Sequence, residues 1–164
     1  MEIIKILAEI IKQEMQLDNE RVLIYNQKWN LPNTDDIFVY LAYLSESIFG
    51  NNRYYEDRED GYYEVQVLEK MTSISINIFS KNSTARERKE EIVFALNSTY
   101  SQQQQEKYGF KIHKIPSGFN DISELETSSM LNRFNITVDV INKVEKENIV
   151  EYYDKYELTT KNNL

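Results

Sequence analysis

No cysteine occurs among the 164 residues. Disulfides, a thiol nucleophile and cysteine-ligated zinc are excluded together. There is one histidine, His113, so no two-histidine metal site can form within one chain. Any Ser-His-Asp arrangement would have to use it. Four glycines and two prolines leave little material for phosphate-cradling loops. No phosphate loop, dinucleotide fingerprint or nucleophile elbow is present. No apolar run reaches the roughly 18 residues that a membrane span needs. Basic residues number 19 against 27 acidic ones, a formal net charge of -8. That balance weighs against a protein that grips nucleic acid by its phosphates.

Hydrophobic residues make up 41% and aromatics 12%, enough to build a core and to argue against disorder along the chain. The length fits one domain, expected over residues 1–158, with 159–164 as a frayed tail. The start, MEIIKILAEIIKQEMQL, is interrupted by Glu2, Lys5, Glu9 and Lys12. It does not read as a signal peptide, and synthesis in the cytoplasm is expected. Ile3, Ile6, Leu7 and Ile10 share one helical stripe, so residues 2–17 read as an amphipathic helix that covers a sheet.

Val22–Tyr25 reads as a short strand and Asn26–Asp36, around Pro32, as a loop. Ile37–Phe49 is β-branched and aromatic and reads as a strand. The polar run from Gly50 to Gly61 reads as an exposed hairpin tip or mobile loop. In Tyr62–Ser80, Ile74, Ile76 and Ile78 alternate with polar residues, while Tyr63, Val65 and Val67 alternate on the other parity. The change near Lys70–Met71 implies a bulge or a strand whose two ends face different surroundings. Thr84 and Glu87 form a capping-box pattern before a helix over Ala85–Ser98. A polar helix over Ser101–Tyr108 stops at Gly109. Phe110–Ile115 and residues 130–142 read as strands, Pro116–Ser123 as a turn, Glu145–Asn148 as a polar break, and Ile149–Leu158 as a last strand or arm. The order favours an α+β fold, a mostly antiparallel β-sheet flanked by an N-terminal helix and a central helix.

No constellation announces catalysis. His113 sits in KIHKI and reads as a surface strand histidine. The acidic cluster Glu56, Asp57, Glu59 and Asp60 is mixed with Arg53 and Arg58 and reads as a solvated loop. Asp121, Glu124 and Glu126 look alike. No catalytic, cofactor-binding or metal site is expected. Tyrosines concentrate at segment ends, and tyrosine suits protein interfaces because it offers large area with a polar tip. The candidate interface residues are Arg53, Tyr54, Tyr55 and Arg58 on the hairpin, and Tyr152, Tyr153 and Tyr156 on the arm.

The order of YNQKWNLP (25–32), IFVYLAYL (37–44), YYEVQV (62–67), TSISINIFS (72–80), ARERKEEIVFALNS (85–98), GFKIHKI (109–115) and LNRFNITVDVINKVEKENIVEYYDKYE (131–157) resembles the neck or tail-terminator proteins of tailed bacteriophages. The resemblance covers about residues 20–158. It implies a small, non-enzymatic α+β virion subunit with no cofactor. Copies would form a ring, typically of six, at the head-proximal end of the tail. The ring would terminate the tube, bind tail-tube and head-completion proteins, and pass genomic DNA through its lumen without specific binding. No membrane partner is implied. An acidic lumen would let DNA slide. Another connector subunit, a head-closure or adaptor protein, shares this size and composition. From other classes come a carboxylate-based metal-dependent nuclease that uses Glu64, and a monomeric adaptor or inhibitor of one host protein.

Overall fold

Period-two alternation sets the sheet. Leu41, Ile76 and Ile136 lie side by side on neighbouring strands, as do Val39, Ile78 and Phe134. Each points to one face, and all six are buried. An amphipathic helix covers that face with Ile4, Ile6, Leu7, Ile10 and Ile11. Burial of an aliphatic side chain of this size stabilises by about 1.5–3 kcal/mol.

The computed structural model describes residues 2–24, 35–115, 118–126 and 129–151. In chain order the elements are α1 (Ile3–Glu14), a 3-10 turn (Asn19–Arg21), β1 (Val22–Ile24), β2 (Phe38–Arg58), β3 (Gly61–Ser80), α2 (Thr84–Arg88), α3 (Glu90–Asn97), α4 (Thr99–Tyr108), β4 (Phe110–Lys114), β5 (Asn120–Asp121), β6 (Glu124–Glu126) and β7 (Ser129–Ile149). The sheet runs β1-β2-β3-β7-β4, and β5 and β6 also pair with β7. Among the described strands only β1 and β2 are parallel; the other pairs are antiparallel. The fold is α+β, with a mostly antiparallel sheet under an N-terminal helix and a central helical segment.

Several local expectations need correction. Of the two readings of Gly50–Gly61 the hairpin holds and the mobile loop does not, because Gly50–Arg58 is strand. It pairs residue by residue with β3, and only Glu59 and Asp60 turn between Arg58 and Gly61. Gly61 takes φ 150°, a value that suits glycine at this turn. The polar stretch Glu145–Asn148 is also strand, paired with Val67–Glu64. In both places side chains on both faces meet water, so no alternation of polarity marks the strand. The parity change in β3 involves no bulge there, since β3 pairs with β7 without a shift. Its two ends bury opposite faces, Ile74, Ile76 and Ile78 at one end and Val65 and Val67 at the other. The shifts lie in β2, between Tyr43 and Ser45 and between Ile48 and Gly50.

The expected helix over Ala85–Ser98 divides at Lys89 into α2 and α3. The Thr84–Glu87 capping box does not form, because Thr84 is already helical. Asn82 Oδ1 accepts from the Thr84 N–H at 2.9 Å and Ser80 Oγ from the Ala85 N–H at 2.9 Å. Ser98 caps α4 instead, its Oγ accepting from the Ser101 N–H at 3.0 Å. Gly109, at φ 65°, ends α4 as expected. Tyr25, the Asn26–Asp36 loop up to residue 34, Pro116, and the arm and tail from Tyr152 onward lie outside the described residues.

Candidate subunit interface

β2 and β3 are 21 and 20 residues long, against a usual strand of about 5–6. At roughly 3.4 Å per residue the hairpin extends about 70 Å. The helices cover only its base. Beyond them β2, β3 and β7 continue as a three-stranded blade, with Arg58, Gly61 and Ile149 near its tip.

Both long edges of the blade are open among the described residues. β1 pairs with β2 over Val39–Leu41, and no described strand pairs with the outer edge from Ala42 to Arg58. β4 pairs with β7 up to Asn142, and no described strand follows from Lys143 to Ile149. Large apolar side chains crowd the first edge, with Leu44 at 57%, Ile48 at 61% and Phe49 at 54% exposure.

The blade is held by cross-strand pairs. Arg58 is the largest knot. It donates to Glu147 through Nη1 at 3.0 Å and Nη2 at 2.9 Å, and to Glu56 through Nε at 2.7 Å. Its guanidinium lies 4.7 Å from the centre of the Tyr63 ring. Tyr63 in turn donates to Asp60 at 2.8 Å. Hydrogen bonds from Arg58 hold the Glu147 carboxyl below the usual carboxylate range, and the two carboxylates push the guanidinium up. Arg53 pairs with Glu64 at 2.9 Å, Lys70 with Glu46 at 3.1 Å and Lys143 with Glu69 at 3.2 Å. The Tyr55 and Tyr62 rings stack 5.7 Å apart.

The four hairpin candidates all lie on β2, but strand alternation divides them. Arg53 and Tyr55 share one face, and Tyr54 and Arg58 the other. The edge brings them together; neither face does. Tyr152, Tyr153 and Tyr156 lie outside the described residues. Sequence reasoning read Ile37–Phe49 as a strand but did not recognise Tyr43–Phe49 as an exposed edge. Its signal is the adjacent apolar pairs Tyr43-Leu44 and Ile48-Phe49. Two neighbours on a strand cannot both face one core, and each pair coincides with a register shift.

His113 is exposed on β4, where the pairing skips from Ile112 to Lys114. Glu64 is committed to Arg53 and accepts from Gln66 Nε2. Asp121 is held low by hydrogen bonds from Ser123, with help from Arg86. Among the described residues no three His, Asp or Glu side chains converge to hold a metal ion. No described helix is long and apolar enough to cross a membrane. No protein-family model matches the chain, and no curated protein matches it.

Proposed function

We propose that this chain is a structural ring subunit of a tailed-phage virion, placed at the head-proximal end of the tail, where it terminates the tube and joins it to the neck. One observation carries the ring, the blade with two unlike open edges. An unpaired edge this long is a template for another strand. Joining the β2 edge of one copy to the β7 edge of the next uses different surfaces on the two partners. Such head-to-tail contacts close into a ring where the rotation between copies divides a full turn, and run on as an open filament where it does not. The place in the virion rests on the resemblance of the order of sequence segments to neck and tail-terminator proteins. Tail-tube and head-completion proteins are then the partners on the two rims, and DNA crosses the lumen unbound.

The purified chain should form annular particles in negative-stain electron micrographs. Light scattering should give a mass several times 19.5 kDa, and the rings should cap one end of purified tail tubes. A chain that stays monomeric from micromolar to millimolar concentration removes the ring. Rings that ignore tubes remove the terminator role.

A further inference from the structure

We draw no further inference here: the strongest candidate, the exposed apolar patch of Leu44, Ile48 and Phe49 on the outer edge of β2, belongs to the edge already assigned to the ring contact, and nothing in the structure shows what covers it.

Discussion

Arg58 shows how one side chain can tie three strands. It leaves β2, crosses the Tyr63 ring of β3 and reaches Glu147 on β7, 89 residues away in sequence. The sequence marked Arg58 as exposed and charged, but nothing local could identify its partner, because Glu147 lies in a stretch with no alternation. The depressed Glu147 titration has a definite sign. The folded carboxyl ionises below its unfolded value of about 4.3, so the clamp contributes fully above that value and is lost as pH falls through the folded one. Amide resonances of Tyr62–Val65 should therefore shift together on acidification, with a midpoint below about 4.3. Glu147→Gln should abolish that step and leave Ile74–Ile78 unmoved. An unchanged step in the variant would assign the titration to another group.

β3 has two careers along its length. At the base, Ile74, Ile76 and Ile78 are fully enclosed under α1 and α3. Toward the tip the strand buries Val65 and Val67 on its other face and is otherwise held by backbone pairing and exposed cross-strand contacts. Ile76→Ala should cost about 2–5 kcal/mol in urea unfolding. Ile48→Ala, on the open edge, should stay within about 0.5 kcal/mol. Equal losses would mean that blade and base share one core. The base was legible in the sequence because alternation of polarity reports burial on one side of a strand. The blade was not, because alternation reports burial and not pairing. The same gap hid the fastening of β4. Its Ile112 N–H points away from β7 and donates to Gln105 Oε1 of α4 at 2.9 Å. The run of glutamines at 102–105 lies within the polar helix read over Ser101–Tyr108, and nothing local distinguishes Gln105 from its neighbours. One of them closes a strand edge, and only the tertiary fold places it there.

The molecule as a body is a small helical base carrying a long sheet that has more edge than its own core requires. The helix order, the sheet class and the separation of base from hairpin could be read from pattern. The length of the blade and its two open edges could not, since they depend on which polar stretches find partners. In a dilute monomer, alternate amides of Gly50–Arg58 point outward from β3 and should exchange at nearly unprotected rates. Assembly should slow these and the Lys143–Ile149 amides roughly a hundredfold, as read by hydrogen-exchange mass spectrometry. Protection that appears on α3 around the exposed Phe94 instead would move the interface off the blade.

The two unmatched residues of β2, Leu44 and Phe49, have one more effect. A foreign strand zipping onto that border from its root would fall out of step at the first and again at the second. Fibril growth needs an unbroken backbone rhythm, and an interruption of this kind is a recognised safeguard. The stretch with the greasiest side chains is thus the one least able to recruit strangers, and the uninterrupted remainder, Gly50–Arg58, is polar and charged. The chain can keep a sticky margin without polymerising at random.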